Sequence, residues 1–440
     1  MSQHTFHNPK CETLGREELE QIQIERLQST LNRAYRNVAF YRAAMDAQHV
    51  NLDKFTSVQA LQALPFTTKE DLHQSYPYGM FAVPLRDIVR IHSTLGTPGK
   101  PVVVGYTRND LRTWAECTAR LLVAAGITEH DVVQIALDYN IAPGAFGFHH
   151  GAELIGASVI PMSLSMGVER QLLIMRDFKT TALITTPAYA VTLAAGVEQA
   201  HLRPECLSLR LGFFGGQRWS EQLRLQLEQR LHIFSVDTYG LTEILGPGVA
   251  GECHCRDGLH INEDHFIVEV VDPKTLHPVH DGDEGELVLT TITREGFPLI
   301  RYRTRDITSI HPAPCPCGRT FSRMTRVMAR TDDMILFRGV GFFPSQVEQI
   351  LCEFAGTSGH YQIILGQEGE MDVLEIRIEV SDQIPSWDEL RTLETMRAEM
   401  ARKIKTVLDV DAKVTFVEPK SMQRLTADQR VVDKRPGERE

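Results

Sequence analysis

Val132-Val133-Gln134-Ile135-Ala136-Leu137 is a short apolar run of strand character, and Ala182-Leu183-Ile184-Thr185 reads the same way. Helical stretches at 109–126 and 220–230 lie around them. Strand and helix alternate from residue 87 to about residue 310. That predicts an α/β architecture on a largely parallel sheet. Upstream, Leu19, Ile22, Ile24, Leu27, Leu31 and Ala34 recur near helical spacing and predict one long amphipathic helix over 17–48. Thr67-Thr68-Lys69-Glu70 reads as a helix start. After residue 265 the style changes. Residues 266–271 and 285–290 are strands with no helix between them, and 268–283 reads as a hairpin-rich, barrel-like part. Residues 331–440 read as a small α+β unit, with clean alternation over 372–380, a helix over 386–408 and a strand over 412–417. The expected division is therefore 1–330 and 331–440.

The chain has 440 residues, with 46 Lys+Arg against 57 Asp+Glu and a formal net charge of −11. Hydrophobic residues at 42% and charged residues at 23% exclude a disordered, fibrous or collagen-like chain. The acidic balance argues against broad binding to nucleic acid or an anionic membrane, while leaving room for a local nucleotide pocket. No apolar run approaches the roughly 18 residues of a spanning helix. The N-terminal stretch is polar and charged, unlike a secretory signal, so a cytoplasmic protein is expected. The eight cysteines then read as reduced thiols. Four fall in two tight clusters, Cys253-His254-Cys255 and Cys315-Pro316-Cys317.

Ser93-Thr94-Leu95-Gly96-Thr97-Pro98-Gly99-Lys100-Pro101 gathers hydroxyls, two glycines and a lysine. Glycine lets backbone amides approach phosphate, hydroxyls donate to it, and Lys100 adds charge. The Walker pattern fails, because Gly96 precedes Gly99 by only three residues and Pro101 follows the lysine. Taken alone, the loop reads equally as a polar surface turn or a phosphate cradle.

Other words follow in order: Asp237-Thr238-Tyr239-Gly240-Leu241-Thr242-Glu243 with Gly246-Pro247-Gly248, then Pro298-Leu299-Ile300-Arg301-Tyr302-Arg303-Thr304-Arg305-Asp306, then Ala329-Arg330-Thr331-Asp332, then Arg338-Gly339-Val340-Gly341. Together with Lys100-Pro101-Val102-Val103-Val104-Gly105-Tyr106-Thr107, their order and spacing resemble the adenylate-forming enzymes, and within them the phenylacetate–CoA ligase family. The resemblance spans about residues 15–435. It implies a large adenylate-forming domain and a small mobile C-terminal domain hinged near Asp332 and Gly339. It also implies roles. Ser93, Thr94, Gly96, Thr97, Gly99 and Lys100 would hold the β/γ-phosphates. Thr242 and Glu243 would meet the α-phosphate and Mg²⁺, for which hard oxygen ligands suit. Asp306 would accept from the ribose hydroxyls, with Arg330 nearby. Gly215, Gly216, Gln217, Asp237, Thr238, Tyr239 and Gly240 would line the adenine slot. Tyr139, Phe146, Phe148, His149, Gly151 and Ala152 would border an aryl group, with Phe213, Phe214, Ile244 and Pro247 behind them.

Cys253, His260, Cys315 and Cys317 form a Cys-x6-His … Cys-x-Cys set flanked by turn residues, which matches a closed structural zinc site. His254 and Cys255 are spare ligands. The expected reaction joins a small aromatic acid to ATP as acyl-AMP and then to CoA, with a homodimer as a candidate assembly. The C-terminal word departs from the family. Where a lysine should reach the carboxylate and α-phosphate, Arg424-Leu425-Thr426-Ala427-Asp428-Gln429-Arg430 is one residue shorter and offers Ala or Asp. Three readings remain. Lys420, Lys434 or Arg430 substitutes in an ordinary ligase; ATP activates nitrite to diazotise an aromatic amine; or the protein only binds nucleotide.

Overall fold

The computed structural model describes residues 6–440 apart from 53–54, 95–99, 328, 339, 355, 369–370, 382–389, 420, 423–429 and 436–440. Two compact units divide it, Met1–Val327 and Met328–Glu440. In the first, the antiparallel strands β1 (Arg90–Ser93) and β2 (Val103–Tyr106) bracket the glycine-rich loop. Strands β3 (Val132–Ala136), β4 (Ser158–Met162), β5 (Ala182–Thr185), β6 (Leu211–Gly215) and β7 (Phe234–Leu241) are parallel, in the order β7-β6-β5-β3-β4. The helices Gly144–Ile155, Val168–Asp177, Pro187–Gln199 and Glu221–Leu231 connect them, as the alternation of patterns predicts. The sheet continues antiparallel through β8 (Gly246–Glu252) and β9 (Leu259–Ile261). Beyond the next sheet in sequence, β13 (Ile310–His311) and β14 (Arg323–Met324) extend this edge. The part expected to be barrel-like is an antiparallel sheet in which β10 (Phe266–Val271), β11 (Gly285–Thr291) and β12 (Tyr302–Thr308) are consecutive neighbours.

Local chemistry sets the helix that backs the site. Arg108–Ala125 starts at a capping box: Asp110 N donates to Thr107 Oγ1 at 3.1 Å, and Thr107 N to the Asp110 carboxylate at 2.9 Å. It stops at Gly126, whose φ of +106° suits a residue without Cβ. The helix Gly144–Ile155 packs on it closely, because Gly147 and Gly151 sit one turn apart. A Cβ at either would come within 2.5 Å of Trp114 Nε1 or Thr118 Oγ1 respectively. The continuous helix expected over 17–48 is instead two, Arg16–Asn37 and Ala39–Ala47. Val38 between them is fully buried and extended (φ −110°, ψ 111°). The bend lets Tyr41 and Met45 enter the same core as Leu27 and Leu31.

In the second unit, Thr357–Glu368 and Met371–Val380 pair antiparallel, while Lys413–Val417 and Val431–Asp433 add parallel edges. The alternation in 372–380 buries Leu374, Ile376, Ile378 and Val380. Met400 and Ile404 of the helix Leu390–Leu408 join that core. Gly339 and the first residues of the helix expected over 386–408 lie outside the described residues.

Candidate functional site

Parallel sheets present ligand sites beyond the carboxyl ends of their strands. Here β6 and β7 end side by side, with Gly215 opposite Thr238. A Cβ at Gly215 would lie 2.4 Å from Thr238 Oγ1, and Gly216 takes a φ of +74°. Gly215 therefore packs tightly on β7, while Gly216 and Gln217 beside it are exposed. The Asp237 carboxylate lies 2.8 Å from Arg326 Nε and is nearly buried. Burial pushes its pKa up, while Arg326 pulls the other way. Arg326 also donates to Trp219 O at 2.7 Å and stands over the Trp219 ring. Asp237 thus anchors the slot through Arg326.

Tyr239 Oη donates to Asp306 Oδ2 at 2.5 Å, joining β7 to β12, and the Asp306 backbone N–H is held by Thr304 Oγ1 at 3.1 Å. Asp306 is buried. Beyond Gly240, the chain turns through Thr242 and Glu243 into β8. Glu243 is only 8% exposed. Its carboxylate makes no hydrogen bond or ion pair among the described residues. Its oxygens are not among the buried atoms left without a partner, and the Arg294 guanidinium is a nearby cation. A carboxylate in this position can serve as a hard oxygen ligand of Mg²⁺.

Of the glycine-rich loop, Leu95 to Gly99 lie outside the described residues, so Gly96, Thr97 and Gly99 carry no structural description. Its stem is defined. Ser93 N donates to Ile141 O at 3.1 Å, Thr94 N to Val102 O at 3.0 Å, and Val102 N to Thr94 Oγ1 at 3.0 Å. Lys100 is exposed, with its ammonium 5.4 Å from the Tyr76 ring centroid. Arg330 belongs to the second unit and pairs with Asp332 through two 2.9 Å contacts.

The residues expected around the aryl group separate into two sets. Tyr139, Phe146 and His149 form a partly exposed aromatic group. Tyr139 lies edge-on to Phe146 at 5.3 Å, and Tyr139 Oη is 3.1 Å from His149 Nδ1. Phe148 and Ala152 pack instead in the core with Ile135, Ile184 and Phe213, and Gly151 faces Thr118. Phe214 and Ile244 are fully buried in two other cores, and Pro247 offers its carbonyl to Trp114. Four further residues join the aromatic group, of which His150 lies in the stretch 139–152 that the resemblance sets beside the aryl group and Arg90, His92 and Glu153 were not expected there. His150 Nε2 is 3.0 Å from Arg90 Nη1, Arg90 lies over Phe146 at 5.2 Å, His92 stands 5.3 Å from Phe146, and Glu153 contacts His149 at 3.1 Å. Burial lowers the pKa of His150 and of His92, and burial raises that of Tyr139. The only sequence signal was the run of rings and histidines itself.

Cys253, His260, Cys315 and Cys317 are all buried, and their ligand atoms lie within 4.8 Å of one another. Cys253 Sγ is 3.8 Å from Cys315 Sγ, and Cys317 Sγ is 3.4 Å from His260 Nε2. Two thiolates about 2.3 Å from one tetrahedral zinc stand about 3.8 Å apart, so the donor set fits that ion. All eight cysteines are free. Cys253, His254 and Cys255 also cluster, but His254 is exposed.

Residues 96–293 match the AMP-binding enzyme family, and residues 339–435 match the AMP-binding enzyme C-terminal domain. The phenylacetate-coenzyme A ligase of Aromatoleum evansii is 42% identical over 97% of both chains. That of Thermus thermophilus is 42% identical over 94% of this chain and 96% of its own. A crystal structure of 2-hydroxyisobutyryl-CoA ligase in the postadenylation state, in complex with 2-HIB-AMP, superimposes with a TM-score of 0.87 at 28% identity, covering 97% of this chain and 91% of that one. The same ligase in complex with 2-HIB-AMP and CoA, in its thioesterification state, gives 0.72 at 29% identity, covering 97% and 92%.

Proposed function

The chain belongs to the phenylacetate–coenzyme A ligase family of adenylate-forming enzymes, and we propose from that premise that it activates a small aromatic carboxylic acid with ATP and passes the acyl group to CoA. The observation that carries the reading is the adjacency of the β6 and β7 ends at Gly215 and Thr238, with Thr242 and Glu243 following on the turn after β7 and Tyr239 bonded to Asp306. A carboxylate oxygen attacks the α-phosphorus of ATP, the bond to the bridging oxygen breaks, and pyrophosphate leaves. The CoA sulfur then attacks the acyl carbonyl, its proton is lost, and AMP departs. Asp306 accepts from the ribose hydroxyls, with Tyr239 sharing the carboxylate. Lys100, Ser93, Thr94 and the loop between them hold the β/γ-phosphates. Thr242 and Glu243 hold Mg²⁺, which when bound neutralises phosphate charge. Tyr139, Phe146 and His149 border the ring of the acid.

Cys253, His260, Cys315 and Cys317 hold a structural zinc. Four protein ligands leave no open position for catalysis. For the cation missing from the C-terminal word we favour Lys434. Arg430 is engaged by Glu348 at 3.1 Å and lies over the Tyr361 ring. Lys434 has no ion-pair partner among the described residues. Lys420, Ala427 and Asp428 lie outside those residues. Among the described residues no helix is long and apolar enough to cross a membrane, and the proposal places the enzyme in the cytoplasm.

A pyrophosphate-release panel tests the reading, with product mass spectrometry. Aryl acids are offered with and without CoA, and amino-aryl acids with and without nitrite. Acid-dependent release giving an aryl-CoA supports it. Release only with nitrite and an amino-aryl substrate would replace it with diazotisation.

A further inference from the structure

The turn that carries Thr242 and Glu243 is held from beneath by three side chains. Arg294 Nη1 donates to the carbonyl of Glu243 at 2.6 Å and also to that of Ile244. Tyr106 Oη donates to the next carbonyl, Leu245, at 2.9 Å. Trp114 Nε1 donates to Pro247 O at 2.7 Å. The intervening Gly246 lies so close to Gly240 that a Cβ on Gly240 would fall 2.0 Å from the Gly246 oxygen. Every carbonyl from 243 to 247 is therefore fixed or closely packed.

The three side chains form one stack. Tyr106 and Trp114 lie with centroids 5.1 Å apart and planes 18° from parallel. The Arg294 guanidinium sits 4.7 Å from the Tyr106 centroid and 5.2 Å from that of Phe297. All three are at most 3% exposed. They come from β2, from the helix Arg108–Ala125 and from the segment after β11.

Arg294 has no ion pair among the described residues, and its Nε and Nη2 have no hydrogen-bond partner among them. The Asp110 and Glu243 carboxylates act on its charge from nearby without pairing with it. Burying a guanidinium without a direct ion pair is costly, and an apolar side chain would fill the same space more favourably. What the charge provides here is two hydrogen bonds to successive carbonyls of the Glu243 turn. Charge-assisted bonds of this kind are stronger than neutral ones. Fixing the Glu243 and Ile244 peptides fixes the Glu243 Cα, and so the starting point of its carboxylate.

We propose that Arg294, seated on Tyr106 and Trp114, is a positioning residue that sets the Thr242–Glu243 turn for ATP and its cation. The inference rests on the reading of Glu243 as a Mg²⁺ ligand. Arg294 would act through the backbone of that turn.

The test uses the full chain and four variants: Arg294→Met, Arg294→Lys, Tyr106→Phe and Glu243→Gln. Calorimetry of ATP binding with Mg²⁺ and with EDTA gives the factor by which the cation strengthens binding, with no acid present. We expect that factor to fall at least fivefold in Arg294→Met and to survive in Arg294→Lys. In acid-dependent exchange of pyrophosphate into ATP, we expect kcat of Arg294→Met to fall about a hundredfold while the ATP KM rises only about as much as the Mg²⁺ enhancement falls, as for misplacement of a reacting group by roughly an ångström. Tyr106→Phe, which removes one bond and keeps the stack, should show a smaller loss in kcat at the same KM. Should Arg294→Met fail to fold, that smaller split decides the proposal. A folded Arg294→Met protein with unchanged Mg²⁺ enhancement and kcat overturns it, as does a loss that merely follows the fraction folded. Unchanged enhancement in Glu243→Gln strikes instead at the ligand reading, and the kcat of Arg294→Met then decides the pedestal alone.

Discussion

Asp306 is proposed as the ribose acceptor from its place after Arg301-Tyr302-Arg303-Thr304-Arg305, and it lies buried with the Tyr239 hydroxyl on its carboxylate. Asp306→Ala should weaken ATP and AMP binding by about 1.5–3 kcal/mol, the worth of a hydrogen bond to a charged group. Calorimetry showing unchanged affinity for both nucleotides would remove the assignment. Arg294 was not legible, because its partners are backbone carbonyls some 50 residues upstream and nothing in a sequence marks a carbonyl. His265 was equally silent. It is 7% exposed, and burial lowers its pKa to about 4. Asp264 at 3.2 Å opposes that, but its carboxylate is already held by Arg120 at 2.8 Å and Arg26 at 3.6 Å. The folded value lies below the unfolded value of about 6.5, so the unfolded chain takes the proton first. The stability that His265 contributes is complete above pH 6.5. It is lost as pH falls from there to about 4, by an amount on the order of 3 kcal/mol. Urea midpoints at pH 7.5 and 4.5 should therefore draw closer together in His265→Gln. Equal pH dependence in both proteins would show that the imidazole stays unstrained when charged.

At the scale of elements, local pattern was reliable wherever one periodicity persisted. The strands at 132–137, 182–185 and 372–380 and the helices at 109–126 and 220–230 all lie where their patterns place them, within a few residues. The break at Val38 was missed because helical spacing runs through it, and only the shared core of Tyr41 and Leu31 requires the bend. The residues Phe148, Gly151 and Ala152 show the converse. They sit in a stretch whose composition suits an aryl wall, yet helix packing on Thr118 and the sheet uses them. The cysteine arms are the element-scale feature that spacing identified most fully, since turns at Gly258 and Gly318 bring distant thiols together. Purified protein should hold about one zinc per chain. Cys315→Ser should lower the thermal midpoint while leaving ATP affinity nearly unchanged, because a closed site acts through folding. Absence of zinc from protein prepared without chelator would count against the site.

The whole molecule joins a nucleotide-binding unit to a second unit whose last strand, Val431–Asp433, precedes Lys434. If Lys434 supplies the missing cation, Lys434→Ala should cut acid-dependent pyrophosphate release by orders of magnitude. Thioester formation from a supplied acyl-AMP should suffer much less, because the charge is needed only as the first transition state forms. Robust acid turnover in Lys434→Ala would turn attention to Lys420. The family itself was legible from the order of several short words, whereas the choice among Lys420, Lys434 and Arg430 was not, since no spacing rule covers a shortened motif. Adenylation of an aryl acid can be read without CoA by following labelled pyrophosphate into ATP. Exchange that requires both the acid and Mg²⁺, and that Asp306→Ala suppresses, is the expected result. A folded, zinc-loaded protein that binds ATP but shows no acid-dependent exchange with any aryl acid would contradict it.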